Sequence, residues 1–275
     1  LRLIRVPETV HTMLVGYRSV EDAAGTVSDI IAAGILPAAV EMMDALAIEA
    51  AEAAVSCGYP SGAVAVLVIE LDGPQAEVEA QFAQVEELAK ARHAFETRIA
   101  QDAAERALMW KGRKSAFAAV GRISPSYYVQ DGVIPRTKLP EVLAEIGRLA
   151  DEAHMRVANV FHAGDGNLHP LILFDDTVEG SAHDAEQLGF AILQLCIDSG
   201  GSITGEHGVG VEKKSKMSSQ FTAEDLDTMQ LVRCAFDPDG LANPGKLFPT
   251  PRLCGERPGA RTAADTHDPA LGEVF

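Results

Sequence analysis

An order of strand and helix signals that runs through the chain twice constrains its fold more than any single motif. His11–Tyr17 reads as a strand, and Ser19 behind it can cap a helix with Asp22 at the capping-box position. That helix runs to about Ala33, where Gly34 ends it, and strand resumes at Leu36–Met42. An alanine-rich helix, Ala45–Val55, enters as an insertion before the apolar strand Ala63–Leu71 and a helix over Gln75–Arg92. In the last of these Val78, Phe82, Val85 and Leu88 share one face at helical spacing. The second pass reads strand at Tyr127–Asp131, helix at Leu139–Ala153, strands at Val157–His162 and Leu168–Phe174, and helix at Ala185–Ile197. Val142, Leu143, Ile146 and Leu149 line one side of its first helix, and Leu188, Ile192 and Leu195 one side of its second. Each pass is β-α-β-β-α, which predicts an α+β fold of two ferredoxin-like subdomains, with antiparallel sheets and helices packed on one face. The expected division is 1–95 for the first subdomain and 96–125 for a linking helix (Ala100–Phe117) and loop. The second subdomain takes 126–249, and 250–275 is a tail rich in Pro, Gly and charge, expected on the surface or disordered.

Composition removes several function classes. A formal net charge of −17 with no basic face argues against a nucleic-acid partner, because phosphate binding needs clustered cations. The longest apolar runs, such as Ala63–Leu71, are far too short for a transmembrane segment, and no secretory signal opens the chain. Cys57, Cys196, Cys234 and Cys254 stand far apart with no Cys-x-x-Cys pair, which predicts four unpaired thiols in a reducing compartment. The first residue is Leu rather than Met and lies close to a strand, as expected of a piece of a longer protein.

Two segments carry chemistry. In Phe161-His162-Ala163-Gly164-Asp165-Gly166-Asn167-Leu168-His169 an Asp-Gly pair lies between apolar strands, the signal for a two-residue type I′ hairpin turn. With Asp165 and Gly166 as the turn residues, His162 faces His169 directly, and two imidazoles so placed can converge on one metal ion. Stacking, or bonding to carboxylates, is the metal-free alternative for the pair. The second segment, Gly200-Gly201-Ser202-Ile203-Thr204-Gly205-Glu206-His207-Gly208-Val209-Gly210, offers Glu206 as a hard oxygen ligand and His207 as a base. Its glycines permit close backbone approach to a flat ligand, but their spacing matches neither the Rossmann nor the P-loop pattern. The alternative here is a tight loop with an exposed Glu-His pair.

Together these segments resemble the FAD-linked oxidase C-terminal domain of the vanillyl-alcohol oxidase type. The resemblance rests on His162-x-Gly-Asp-Gly-Asn-Leu-His169, Gly205-Glu206-His207-Gly208, and Asp237-Pro238-x-Gly-Leu-x-Asn243-Pro244-Gly245-Lys246, in that order. Glu41-Met42-Met43-Asp44, Gly121-Arg122-Ile123-Ser124-Pro125 and His169-Pro170-Leu171-Ile172-Leu173-Phe174-Asp175 are similar to the FAD-linked subunit of bacterial glycolate oxidases in particular. The resemblance implies that His162, His169 and Glu206 bind a divalent metal, Zn2+ or Mn2+, beside a flavin. It implies His207 as base, Arg113 (after Trp110) as the grip on a substrate carboxylate, and Asn243 in a loop that approaches the flavin. Bidentate geometry suits Arg to that task; a solvated helix cation, like Lys111 and Lys114, is the alternative for Arg113. Asn243 equally fits a rigid turn that ends the domain, and Trp110, Tyr127 and Tyr128 fit either pocket or core. His11, His93, His154, His183 and His267 belong to no motif. Tyr-Tyr-Val-Gln-Asp from Tyr127 supplies no lysine for a larger diacid.

The implied function is the substrate-binding cap of an FAD-dependent 2-hydroxyacid dehydrogenase that oxidises glycolate, with D-lactate as the alternative acid. FAD is then bound mainly by an N-terminal domain that this chain lacks, so the chain alone is expected to be inactive. The implied partners are a small 2-hydroxy acid and other oxidase subunits, including an iron-sulfur subunit. The implied location is cytoplasmic, or peripheral to the inner membrane through those subunits. A metal hydrolase and a subunit-docking module are the readings from other classes.

Overall fold

A computed structural model describes residues 6–249. Residues up to Gly208 form one compact unit and those from Val209 onward a second. The first unit holds β1 (Thr9–Tyr17), α1 (Val20–Ala32), β2 (Ala39–Asp44), α2 (Ala45–Val55), β3 (Ala65–Gly73), α3 (Gln75–Ala91) and β4 (Glu96–Ile99). After α4 (Ala103–Val120) come β5 (Ser126–Val129), β6 (Gly132–Val133), α5 (Leu139–Glu152), β7 (Arg156–His162), β8 (Asn167–Leu168), β9 (Pro170–Phe174) and α6 (Ser181–Asp198). The strands join in the order β4-β1-β3-β2-β7-β8-β6, with β9 also on β7 and β5 on β9. Every one of these pairings is antiparallel.

The expected α+β architecture is present, with two differences of detail. The sheets of the two passes meet edge to edge, β2 pairing with β7 through Glu41↔His162, Met42↔Phe161 and Met43↔Val160. Helices also cover both faces rather than one. Helices α1, α3, α5 and α6 pack over Met13, Val15, Leu67, Ile69, Phe161 and Ile172, the alternate set of strand residues. Against the other face, α2 and α4 bury Leu14, Val66, Val68, Val160 and Leu171. Burial on both sides explains why β3 reads as a nearly unbroken apolar run instead of an alternating one. Small residues on the facing helices, Ala47, Ala50 and Ala51 with Ala116 and Ala119, are buried together in that second core.

Local chemistry sets most element boundaries. The Ser19 side chain accepts from the Asp22 N–H to start α1, and the Asp44 side chain accepts from Ala47 N–H to start α2. The helix faces read from sequence turn inward: Val78, Phe82, Val85, Val142, Ile146 and Ile192 are buried, and Leu88, Leu149 and Leu195 are partly so. Strand β4 falls where the sequence suggested a linker. Four residues with two charges carry too little period-two signal, yet Met13 to Gly16 pair with Ile99 to Glu96.

The second unit contains α7 (Gly210–Lys213), α8 (Met217–Gln220) and α9 (Ala223–Phe236). Thr222 and Asp225 form a reciprocal capping box at the start of α9. Beyond it the Asp237 carboxylate accepts from Leu241 and Ala242 N–H groups, and Lys214 Nζ donates to the Gly245 carbonyl. Asn243 there adopts φ +47° and lines a groove with Arg233 and Lys246. Cys57 and Cys196 are buried thiols outside any disulfide, whereas Cys234 is disulfide-bonded, which corrects the expectation of four unpaired thiols. Among the described residues no helix is long and apolar enough to cross a membrane. The tail 250–275, with Cys254 and His267, lies outside the described residues.

Candidate active site

Strand β7 and the segment after it place the two histidines, in a register that differs from the expected one. His162 pairs with Asn167, and the same register continues through Asn159↔Pro170 and Ala158↔Leu171, so His169 falls opposite Val160. The turn is four residues, Ala163–Gly166, with Asp165 N–H bonded to His162 O and Gly166 N–H to Ala163 O. Gly166 takes φ +74°, and a Cβ there would stand 2.2 Å from the Ile134 carbonyl oxygen, so the turn requires glycine. The slip from the expected register is two residues. Because side chains alternate with period two, it leaves both histidines on the same sheet face. They are diagonal neighbours there, with ring centroids 5.2 Å apart.

The loop after α6 delivers the carboxylate. Asp131, fully buried, accepts from the backbone N–H groups of Gly205, Glu206 and His207 and from the Thr204 hydroxyl. Successive N–H groups gathered on one anion fix a loop with few side-chain contacts of its own. Gly205 closes onto the hairpin, where a Cβ would lie 2.6 Å from Asn167 Oδ1. That glycine therefore serves close approach to the protein's own Asn167.

Glu206 Oε1 then stands 3.1 Å from His169 Nε2 and 3.4 Å from His162 Nε2. Donor atoms of His162, His169 and Glu206 all lie within 4.8 Å of one another. Two ligand atoms about 2.1 Å from one ion at roughly tetrahedral or right angles are separated by about 3.0–3.4 Å, so these spacings fit a first-row divalent metal. The far ring nitrogens are already engaged. His162 Nδ1 lies 2.8 Å from Glu41 Oε1 and His169 Nδ1 3.4 Å from the Gln130 carbonyl oxygen, which leaves each Nε2 facing the shared position. Charge agrees: Glu41, Asp131 and Glu206 against one guanidinium, Arg113, leave a local excess of negative charge that a dication would offset. Burial pushes His169 below the ordinary histidine range, which favours the neutral ring a metal needs. The Glu41 bond holds His162 above that range, and a cation at Nε2 would take the place of its second proton.

His207 stacks on His169, with centroids 4.9 Å apart and planes 10° from parallel, and its Nε2 is 3.8 Å from Glu206 Oε1. It groups with Asp131 and His169 rather than with His162. Arg113, on α4, is 7% exposed, which rules out the solvated-cation alternative. Its Nε donates to Glu41 Oε2 at 2.9 Å, and its guanidinium carbon stands 5.8 Å from the centre of the Phe117 ring. Lys111 and Lys114 on the same helix are exposed. Trp110 donates to Glu70 and is partly buried in the second core, as Tyr127 is, whereas Tyr128 packs against the first. Asn243 belongs to the second unit. Sequence reasoning missed Glu41 and Asp131 as site residues. The signals for Glu41 were a charge inside an otherwise apolar strand and its place in the Glu41-Met42-Met43-Asp44 motif, whereas nothing marked Asp131.

Comparison with known proteins shows which family the whole chain resembles. The family described as FAD linked oxidases, C-terminal domain, matches residues 6–247. Glycolate oxidase subunit GlcD of Escherichia coli (strain K12) is 51% identical over 93% of this chain and 51% of its own length. The subunit of the same name from Bacillus subtilis (strain 168) is 36% identical over 90% of the chain and 53% of its own length. A mitochondrial D-lactate dehydrogenase [cytochrome] of Arabidopsis thaliana is 29% identical over 92% and 45%. The chain thus spans about half the length of the curated relatives it matches. Among solved structures, p-cresol methylhydroxylase with substrate bound shares the fold at a TM-score of 0.65 and 11% identity, over 87% of this chain and 53% of that one.

Proposed function

The chain belongs to the family of FAD linked oxidases, C-terminal domain, and on that premise we propose that it is the substrate-binding cap of an FAD-dependent 2-hydroxyacid dehydrogenase acting on glycolate. The observation that carries the reading is the convergence of His162 Nε2 and His169 Nε2 on Glu206 Oε1. The names of its relatives over 93% and 90% of the chain support glycolate ahead of D-lactate. His162, His169 and Glu206 would hold Zn2+ or Mn2+, to which two imidazoles and a carboxylate are suited. Asn243 is assigned to flavin contact by its motif.

When bound, the metal would supply Lewis acidity at the substrate hydroxyl, and FAD would supply a hydride acceptor for the α-carbon. The remaining work falls to this chain's own side chains. Arg113, fixed through Nε, has its Nη1–Nη2 edge for a carboxylate, a two-point grip that sets the acid's orientation. His207 accepts the hydroxyl proton at Nε2, the nitrogen nearest the Glu206 carboxylate. Glycolate, having lost that proton and a hydride, leaves as glyoxylate. Electrons pass to other oxidase subunits, an iron-sulfur subunit among them, in the cytoplasm or peripheral to the inner membrane through those subunits.

The test is turnover by the full-length protein carrying its FAD domain. Glycolate is expected to exceed D-lactate in kcat/KM, with activity lost on chelation and restored by Zn2+ or Mn2+. Preference for D-lactate would move the reading to that acid. Activity indifferent to chelation would remove the metal from it.

A further inference from the structure

We propose that Glu41 is a positioning residue that couples the metal grip to the substrate grip, a role that rests on the function proposed above. Its two carboxylate oxygens are divided between the two machines. Oε1 lies 2.8 Å from His162 Nδ1, and Oε2 accepts from Arg113 Nε at 2.9 Å. Both glutamate and arginine side chains are 8% exposed, so little solvent is present to substitute for either partner. The strand pairing sets the first contact, because Glu41 and His162 are direct cross-strand partners on one sheet face. Helix α4, crossing that face, brings the second.

Two consequences follow from the geometry. A carboxylate accepts only, so when the His162 ring is neutral its one proton must sit at Nδ1, and Nε2 presents its lone pair toward His169 and Glu206. An acceptor on Arg113 Nε also fixes the rotation of the guanidinium plane, which decides where Nη1 and Nη2 point. A displacement of Glu41 therefore moves both sites at once. No amide can replace it. With Gln at this position the carbonyl oxygen satisfies one partner, and the NH2 group meets either an N–H donor of Arg113 or the Nδ1–H of His162. In the second case His162 changes tautomer and Nε2 carries the proton where a metal would bind.

The experiment compares wild type, Glu41→Gln and Glu70→Gln in the full-length protein, by Zn2+ titration against a chromophoric chelator and by steady-state kinetics. Glu70→Gln removes a carboxylate from the same sheet face that touches neither histidine. Glu41→Gln is expected to weaken Zn2+ binding about 10–100-fold and to raise KM for the 2-hydroxy acid, with Glu70→Gln leaving both near wild type. Affinities of wild type and Glu41→Gln within twofold would overturn the coupling while leaving the metal reading in place. A wild type that binds no Zn2+ would overturn both. A measurement on the unmutated protein guards against misfolding of the variant: nitrogen-15 imidazole NMR, taken at alkaline pH where the His162 ring carries a single proton, is expected to place that proton on Nδ1. The reverse tautomer would overturn the role assigned to Glu41.

Discussion

Glu70 on β3 and Glu41 on β2 project from the same sheet face toward α4, whose Arg106 and Arg113 meet them seven residues apart. Val68 pairs with Glu41, and Glu70 follows two residues along, so the shared face comes from the pleat. The environments then diverge. Glu70 is saturated: Arg106 donates through Nε and Nη2, and Thr12 Oγ1 and Trp110 Nε1 complete the shell at 2.7–2.8 Å. All its partners lie within the sheet and the overlying helix, which makes it a structural strut. Glu41 instead engages Arg113 by one nitrogen and spends its other oxygen on a histidine. The arginine near β1 grips its carboxylate through two nitrogens, whereas the one near β7 commits only Nε to its carboxylate. Identical residue types at repeated spacing on one helix thus carry different roles, and the neighbours across the strand decide which.

The sharpest break between the two regions is expected at His207. In the full-length enzyme His207→Ala should lower kcat by about 10²–10⁴-fold, the usual contribution of a positioned base, with Zn2+ affinity near wild type. A parallel collapse of metal affinity would make His207 a ligand rather than a base. Next in size is the contrast between the arginines. Arg113→Lys should raise KM by about 10–100-fold, since a lysine keeps the charge but loses a charge-assisted bond worth about 1.5–3 kcal/mol. Arg106→Lys should leave KM alone; an equal effect of both would erase the distinction drawn here.

The smallest effect concerns stability. Burial pushes the Glu70 carboxyl up, but the bonds from Arg106, Thr12 and Trp110 outweigh it and hold its pKa below the ordinary value. A carboxylate with a depressed folded-state pKa stabilises the fold above its unfolded pKa, near 4.3, and loses that contribution as pH falls through the folded value. Glu70→Gln should therefore destabilise by about 1–3 kcal/mol at pH 7, and the gap to wild type should narrow below about pH 4. Chemical denaturation at both pH values reads this directly. A gap that widens in acid would contradict the sign.

Period and turn chemistry determined much of this protein on their own. Apolar spacing located α3, α5 and α6 and their inward faces, because burying one helical stripe imposes the 3.6-residue pattern whatever the partner is. The motifs at His162, His169, Glu206 and His207 were visible because the metal-binding and proton-transfer chemistry proposed for them admits few residue types. The face shared by the two histidines was legible for a narrower reason. An Asp-Gly turn and a two-residue period allow an error of two in register without exchanging inside for outside. What tertiary structure alone decided lies in the partnerships. A buried charge must find its counterion across space, and no local pattern encodes that Glu41 reaches Arg113, 72 positions away, and His162, 121 away. Asp131 gathers the Glu206 loop by backbone N–H groups, which every residue possesses and which therefore leave no mark on the sequence.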